Sequence, residues 1–430
     1  MSAIGSRARK GRDIAVRWFQ QGEVSPRWNY FNLYRDIGWF GVISAVSSTF
    51  VSVYTLRLGG SNLLLGLLTA LPALVNVLVQ IPAARLIERQ RNPRRLLLWA
   101  GFWMRAPVFL TALVPLFLHR WQANAVVWIT ALGTIPAAAS TTAFTAMLAD
   151  VVKPEDRARV VSVRNMLLAV VTTLTVVVAG EALDVLPFPL SYQLIFTLAF
   201  VASLLSLYYV GRIAIPDRDP AAQKAAGPAP GWRQLLRAAW SEKAYSRFVL
   251  AAFLFHWALD FPIPLYAIYR VRVLNISEGW IGTMAMVESA LTVISWYVWG
   301  RVAQRRGSRF VLLLGVLGLC FYPFGTALSM GPWPLLLVSA VAGVVAPAFN
   351  LGLFNGLLEV TPQTHRPTYL GLYNMLLNVP ASIAPLVSTA LAGWIGVRTA
   401  LFLGGGLRVV GFVAFAVLLL APARRPGAAG

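Results

Sequence analysis

The sequence predicts an all-helical integral membrane protein, built from twelve transmembrane helices in two related bundles of six. Its composition, its long uncharged stretches and an internal repeat each point to that fold. Of the 430 residues, 58% are hydrophobic and 12% are charged, whereas about a quarter of an average soluble domain is charged. A chain with so few charged side chains cannot cover an apolar core with polar surface, so lipid is its expected solvent.

Several uncharged stretches are long enough to cross a bilayer. A helix rises about 1.5 Å per residue and needs about 20 apolar residues to span the hydrocarbon core. The stretch 310–358 is long enough for two crossings, and residues 331–334 (Gly-Pro-Trp-Pro) predict a break inside it. We predict spans at 36–56, 62–84, 96–118, 122–149, 160–182, 190–211, 247–269, 279–300, 310–330, 333–358, 369–396 and 399–421.

The basic residues predict the orientation of these spans. If both termini are cytoplasmic, 30 of the 37 Lys and Arg residues lie in cytoplasmic segments and five in external loops. This bias is typical of membrane proteins, and it predicts a multi-pass protein of a bacterial cytoplasmic (inner) membrane. The predicted domains are a basic cytoplasmic tail (1–35), a six-helix bundle (36–211), a cytoplasmic linker (212–246), a second six-helix bundle (247–421) and a cytoplasmic tail (422–430).

The N-terminal tail is basic, and the first apolar run is long enough to be retained as a helix rather than cleaved. Ile14, Trp18 and Phe19 stand at helical spacing among arginines. This pattern fits either a short helix on anionic inner-leaflet lipids or a disordered tail. The net charge of +21 follows from the orientation, so we do not expect a nucleic-acid partner.

Metal, disulfide and cofactor chemistry are not expected. Cys320 is the single cysteine, and His119, His256 and His365 lie too far apart in sequence for ligand spacing. No Gly-rich phosphate loop with Lys appears, so an ATP-driven pump is not expected either. We expect no catalytic residues, no metal and no cofactor.

The two halves of the sequence repeat each other. Residues 165–168 (Asn-Met-Leu-Leu) recur at 374–377, each preceded at the same distances by an arginine and an acid. Gly66 matches Gly282 at nearly the same offset, and residues 105–107 match 321–323. Ordered matches of this kind indicate duplication, and two related halves around a central site are a common transporter plan.

Residues 300–309 (Gly-Arg-Val-Ala-Gln-Arg-Arg-Gly-Ser-Arg) resemble the loop motif of the major facilitator superfamily between its eighth and ninth helices. The copy between the second and third helices departs from the motif, with Ala84 for the glycine and Glu88 for the aspartate; the second copy has Gln304 for the aspartate. The resemblance implies that acidic and basic residues of these loops hold the cytoplasmic side closed in the outward-facing state. The implied cytoplasmic gate comprises Glu88, Arg89, Asp150, Arg157, Gly300, Arg301, Arg305, Glu359 and Arg366.

Five ionisable residues lie inside predicted spans: Arg105, His256, Asp260, Glu288 and Arg408. Placing such a side chain inside the membrane costs a few kcal/mol or more of free energy unless it is paired or hydrated. Burial disfavours an ionised carboxylate, so Asp260 or Glu288 is predicted to couple protons to transport or to bind a cationic group of the substrate. A structural ion pair with Arg408 or His256 is the alternative. Structural roles are favoured for Arg105 and Arg408, although Arg105 could also bind an anionic substrate.

Uncharged polar residues in the spans are further candidates for substrate binding. Asn76, Asn350 and Asn355 are predicted to contact substrate or to hydrogen-bond between helices. The aromatic content of the spans predicts an apolar, aromatic-rich interior. Trp257, Trp296 and Trp299 could stack on a ligand, but packing in the core is the default role of such residues.

The sequence therefore predicts a secondary transporter that works by alternating access on a small-molecule substrate, with proton-coupled export as the first hypothesis and a monomer as the expected state. The Gly-Pro-rich pattern that many antiporters of the family carry in their fifth helix is absent around 165–180. Uptake of a sugar or carboxylate by symport is the alternative within transport. A membrane-embedded enzyme and a non-transporting assembly factor are the alternatives of other classes.

Overall fold

A computed structural model describes residues 26–88, 94–153, 156–215, 242–361 and 366–420, and all of the regular structure in these ranges is helical. Helices of the first half are α1 (Pro26–Arg57), α2 (Asn62–Glu88), α3 (Arg94–Phe117), α4 (Gln122–Val151), α5 (Arg157–Val185) and α6 (Leu190–Gly211). Those of the second half are α7 (Lys243–Val273), α8 (Glu278–Arg306), α9 (Ser308–Leu328), α10 (Pro332–Val360), α11 (Arg366–Ile395) and α12 (Val397–Leu420). Within the described residues, twelve helices are long and apolar enough to cross a membrane, which confirms the twelve predicted spans.

The seventh span is interrupted near two prolines. Its first segment ends at Asp260, a short helix follows at Ile263–Ile268, and a π-helical turn completes the span at Tyr269–Val273. Pro262 and Pro264 explain the interruption, because neither can donate a backbone hydrogen bond within a helix.

The first helix begins earlier than predicted. Residues 26–35, assigned to the tail from their charges, form the first turns of α1. Asp36 is tolerated there because Arg164 of α5 pairs with it, and Arg35 donates to the hydroxyl of Tyr209 on α6. The predicted segment around Ile14, most of the predicted linker and the C-terminal tail lie outside the described residues.

The two halves have the same internal packing, as the sequence repeat predicts. In the first half α1 packs on α5 and α6, α4 packs on α2 and α3, and α3 packs on α6. In the second half α7 packs on α11 and α12, α10 packs on α8 and α9, and α9 packs on α12. Between the halves, α2 packs on α11 and α8 packs on α5. Since α8 and α11 are the counterparts of α2 and α5 in the repeat, the two contacts are equivalent.

Two glycines that match in the repeat lie in these two seams. A Cβ on Gly66 would lie 2.3 Å from the hydroxyl oxygen of Thr389, and a Cβ on Gly282 would lie 2.8 Å from the carbonyl oxygen of Val176. Since real side chains do not tolerate such contacts, both seams require glycine for the backbones to approach.

The halves meet closely at one end of the bundle. We call this end, where α1 finishes, the Arg57 end, and the opposite end, where the 212–246 segment begins, the linker end. At the Arg57 end one apolar cluster joins both halves, including Val53 and Leu65 with Ile281 and Ala384. At the linker end, the described clusters each stay within one half. The fold is therefore sealed at the Arg57 end.

Candidate functional site

An ion pair between the halves reinforces the seal at the Arg57 end. The guanidinium of Arg57 donates from Nε and Nη2 to the two carboxylate oxygens of Glu278, at 2.9 and 3.1 Å. The hydroxyl of Tyr192 on α6 donates to the same carboxylate at 2.8 Å. Glu278 is largely buried, with 9% of its side chain exposed against 38% for Arg57. Two parallel charge-assisted bonds make this a directional contact.

The start of α8 is capped by a residue of the first half. The backbone amides of Glu278 and Gly279 each donate to Asp184 at 2.9 Å. A carboxylate is stabilised at a helix N-terminus because the unpaired amides and the helix dipole both favour negative charge there. Arg272 adds contacts to Gly60 and Asn62 of the first half. We call these contacts, together with the Arg57–Glu278 pair, the Arg57-end latch.

Behind the latch lies a cavity of about 750 Å³ between the halves, which we call the central cavity. Its walls come from α1 to α5 of the first half and from α7 and α8 of the second. This volume falls in the range of small-molecule sites. Its hydroxyl-bearing Ser and Thr residues are Ser47, Ser48, Thr49, Ser52, Thr69, Thr111, Thr130, Thr134, Thr172, Thr173, Ser289 and Thr292.

Glu288 and Arg270 are the two charged residues among the described residues that line the central cavity. Their charges act on one another, and Arg270 also donates to the hydroxyl of Tyr322 at 2.7 Å. The Nε of Arg270 and the hydroxyls of Tyr266 and Thr172 are buried without a hydrogen-bond partner among the described residues. Unpaired polar groups at the wall of a cavity are costly unless something binds them, so the cavity is equipped for a polar ligand.

Asp260 and His256 do not line the central cavity. One Asp260 oxygen is buried without a partner, and the positive charge of Arg408 acts on the carboxyl group. His256 hydrogen-bonds through Nδ1 to the carbonyl of Ala252 in its own helix at 2.7 Å. Of the two predicted carboxylates, Glu288 therefore faces the space that a substrate could occupy, and Asp260 lies against Arg408.

Arg408 donates hydrogen bonds to backbone carbonyls of two neighbouring helices. In a regular helix the carbonyls of Ala258 and Leu319 would accept from the residues four positions on, which are Pro262 and Pro323 and lack an N–H. The guanidinium of Arg408 donates to both carbonyls, at 3.3 and 2.7 Å. This geometry supports the structural role predicted for Arg408.

Arg105 lies inside the first half, outside the central cavity. It donates to the carbonyl of Gly101 and to the hydroxyl of Ser206, both at 2.7 Å. Ser206 in turn donates to Asp36, which also pairs with Arg164 at 3.2 Å. These contacts form a buried polar network across α1, α3, α5 and α6.

The predicted asparagines and tryptophans are absent from the described lining of the central cavity. Asn76 and Asn355 are half-buried and Asn350 is exposed, all on other surfaces. Trp296 is exposed, and Trp299 donates to the carbonyl of Val344. The expectation of an aromatic-rich interior is wrong for this cavity, because the hydroxyl residues face inward while the tryptophans pack elsewhere.

The predicted cytoplasmic gate lies at the linker end. Asp150, Arg301, Arg305 and Glu359 are exposed there. Arg89 and the side chains of Glu88, Arg157 and Arg366 lie outside the described part of the chain. No described atom beyond its own helix lies within 4 Å of where a Cβ on Gly300 would stand, so no other helix packs closely against this glycine in this conformation. The gate stays a prediction for the opposite state.

Sequence reasoning missed the Arg57-end latch. Arg57, Arg270 and Arg272 were counted only as external charges, and Glu278 and Asp184 were not singled out. One signal was available: Glu278 directly precedes the predicted span 279–300, where a charged residue marks the membrane boundary. Its partner was hidden because Arg57 stands 221 residues earlier in the chain.

Comparisons with known proteins agree with this architecture. The sequence profile of the Major Facilitator Superfamily matches residues 37–277 and 248–430. Multidrug resistance protein MdtG of Serratia proteamaculans (strain 568) is 26% identical over 195 residues, which cover 43% of this chain and 44% of that protein. The staphyloferrin B transporter of Staphylococcus aureus (strain NCTC 8325 / PS 47) is 24% identical over 177 residues, which cover 38% of each. The chain thus matches less than half the length of these curated relatives.

Solved structures share the fold over most of the chain. The nucleoside transporter NupG superimposes with a TM-score of 0.68 at 13% identity, covering 91% of this chain and 99% of that one. A bacterial homologue of the human lysosomal transporter Spinster, in an inward-facing and unoccupied conformation, gives 0.65 at 13% identity, covering 92% and 97%. The fold, the repeated halves and the match to the family profile lead to one conclusion: this chain belongs to the Major Facilitator Superfamily.

Proposed function

We propose that this protein exports a small polar solute across a bacterial cytoplasmic membrane by alternating access, in exchange for protons. The observation that carries the proposal is the central cavity, in which Glu288 and Arg270 are the charged groups among many hydroxyls. The wall places hydroxyls and two charged groups among apolar side chains, which suits a small solute that carries polar groups.

Orientation supports the proposed direction. The excess of Lys and Arg in the segments at the linker end favours a cytoplasmic location for that end. The seal at the Arg57 end then closes the external side, and the structure corresponds to the state in which an exporter would load its solute. We propose that residues 36–211 and 247–421 rock as two units, and that Glu88, Asp150, Arg157, Glu359 and Arg366 close the linker end in the opposite state.

Glu288 is the proposed coupling residue. When ionised it can hold a donor or cationic group of the solute, and when protonated it loses most of that attraction. A proton arriving from the external side would therefore displace the solute, and loss of the proton to the cytoplasm would reset the site. Arg270 would pair with Glu288 while the site is empty, which keeps an isolated charge out of the membrane.

The direction and the solute class are open to a second reading. The name of one relative, a multidrug resistance protein, favours export in this chain, whereas the other is named as a transporter of staphyloferrin B without a direction. The hydroxyl-lined wall and the cation Arg270 would equally serve a sugar or carboxylate symporter. Flux in sealed vesicles of known orientation separates the two: export requires solute to leave the compartment that the linker end faces.

The test begins with thermal unfolding of the purified protein against sugars, organic acids, amino acids and lipophilic cations at pH 6 and pH 8. A ligand that binds the folded state raises the melting temperature. Proteoliposomes with a trapped pH dye then report whether the hit compound moves protons. In Glu288→Gln, proton movement should be lost and the affinity for the solute should fall, because glutamine imitates the protonated carboxyl group that releases the solute.

Asp260→Asn is the matched control, since Asp260 lies on the same half but outside the central cavity. It should keep proton movement at near the unmodified rate. Proton movement that persists in Glu288→Gln would refute the coupling role. A folded protein that binds no compound of the panel and moves none would favour the assembly-factor alternative.

A further inference from the structure

A second cavity, which we call the recess, lies inside the first half. It has a volume of about 180 Å³ and is walled by α1, α3, α4, α5 and α6. Asp36, Arg105 and Arg164 line it, and they are 3%, 4% and 7% exposed. Met104 lines both the recess and the central cavity.

The charges in the recess do not balance. Asp36 accepts from Arg164 at 3.2 Å and from Ser206 at 2.7 Å, and Arg105 reaches this carboxylate only through Ser206. No other acidic residue appears among the described residues that line the recess. Two guanidinium groups therefore share one carboxylate, and a buried charge without a counter-charge is strongly unfavourable.

Several guanidinium donors remain unused. The Nε of Arg105 is buried without a partner. Arg164 uses Nη1 for the carbonyl of Leu33 and for Asp36, whereas its Nε and Nη2 donate to no described residue. Nε and Nη2 form one edge of the guanidinium plane, the arrangement that binds both oxygens of a carboxylate. The guanidinium carbon of Arg164 lies 4.7 Å from the centroid of the Phe144 ring, within the range of a cation–π contact.

The recess is open to small molecules on one side. Thr141 and Thr145 of α4 line it and are exposed. Since one water occupies about 30 Å³ of liquid, the volume of the recess suits a molecule of a few heavy atoms. An ion of that size with a single charge would balance the excess.

We propose that the recess binds a small monocarboxylate anion, held by the free edge of Arg164 and completing the charge balance with Arg105 and Asp36. This proposal does not rest on the direction of transport or on the role of Glu288. It also accounts for two arginines being buried in a membrane bundle beside a single acid.

Binding of radiolabelled acetate to the purified, full-length protein in halide-free detergent buffer tests the proposal. We expect one saturable site per chain, displaced by unlabelled propionate but not by neutral acetamide. Arg164→Lys keeps the charge and removes the two-nitrogen edge, so acetate affinity should fall by about tenfold or more. Arg159→Lys, an exposed arginine on the same helix, is the matched control and should bind acetate normally.

A second variant guards against misfolding. Thr141→Phe changes an exposed residue at the mouth and should fill the recess, so it should lose acetate binding while its melting temperature stays near that of the unmodified chain. Absence of saturable binding to the folded protein, equal loss in both arginine variants, or displacement of acetate by equimolar chloride would overturn the proposal. Loss of binding in Arg270→Lys but not in Arg164→Lys would assign acetate to the central cavity and overturn it as well.

Discussion

Arg57 and Glu278 form a two-bond ion pair that joins the end of α1 to the start of α8, across the boundary between the halves. The pair closes the Arg57 end only while the two halves are together, because its members belong to different halves. Breaking the pair should therefore change the equilibrium between conformations more than it changes the folding stability of either half.

Removing the charge of Glu278 should open the Arg57 end. Glu278→Gln weakens the bonds from Arg57 and Tyr192, and hydrogen bonds to charged groups contribute about 1–3 kcal/mol each. A change of that size shifts a two-state population by about 5–150-fold. Spin labels at Trp121 and Met330, both exposed and on different halves at this end, should report a longer distance population in the variant.

Glu242→Gln is the control, since Glu242 is exposed beside the linker end, and it should leave the distances unchanged. A double variant with Arg57→Gln and Glu278→Gln should shift the population by much less than the sum of the single changes, because the two residues share one interaction. Identical distance distributions in Glu278→Gln and the unmodified chain would contradict the latch.

The glycine of the α5–α8 seam should be intolerant of a side chain. Gly282→Val places methyl groups against the backbone of α5, where a Cβ alone would lie 2.8 Å from a carbonyl oxygen. We expect a lower apparent melting temperature, corresponding to about 1–3 kcal/mol of overpacking, in thermal unfolding of the purified protein.

Gly300→Ala is the contrasting change. Since no described atom beyond its helix lies near the added methyl group, alanine should be neutral or stabilise the helix by about 0.5–1 kcal/mol. Impaired solute flux in this folded variant would show that Gly300 is needed in the opposite state, as the family motif implies. Equal destabilisation by both substitutions would contradict the packing described here.

Arg408 should be required for stability. Arg408→Met removes the donors of buried carbonyls on α7 and α9, and each carbonyl left unpaired costs about 1–3 kcal/mol. The apparent melting temperature should fall, and Arg408→Lys should recover only part of it because an ammonium group cannot replace the planar guanidinium.

A second substitution identifies the cause. Pro323→Ala in the Arg408→Met background restores the N–H that Leu319 lacks in the helix, so it should recover part of the lost stability. Pro323→Ala alone should have a smaller effect, because Arg408 already satisfies that carbonyl. If the double variant is no more stable than Arg408→Met, the proline-linked role is wrong.

The helices of this protein could be predicted from sequence because the hydropathy signal is local. The early start of α1 was missed, since the charge of Asp36 ends an uncharged run and its neutralisation depends on Arg164, which is distant in sequence. The break in α7 has a local cause, because Pro262 acts on its own neighbours. Effects on neighbouring residues can be predicted from one sequence, whereas contacts between side chains of different helices can be predicted only if the packing of the helices is known.

The candidate site was predicted only in part for the same reason. Asp260 and Glu288 were proposed as equivalent because helical spacing gives depth and not direction, whereas only Glu288 of the two lines the central cavity. Structural roles were favoured for Arg105 and Arg408, but the sequence did not identify the groups that they contact. The tryptophan content led to the prediction of an aromatic-rich interior, but composition does not say which face of a helix a side chain occupies. Trp296, for example, is 44% exposed.

Gly66 and Gly282 stand at matching positions of the repeat, and each brings its helix against the opposite half. The α2–α11 and α5–α8 seams are thus two copies of one interface, as in a symmetric dimer, where the same patch on each partner meets its counterpart. A six-helix ancestor of either half would have carried both sides of that interface. Two such chains could have enclosed a cavity between them before a gene fusion joined them into one.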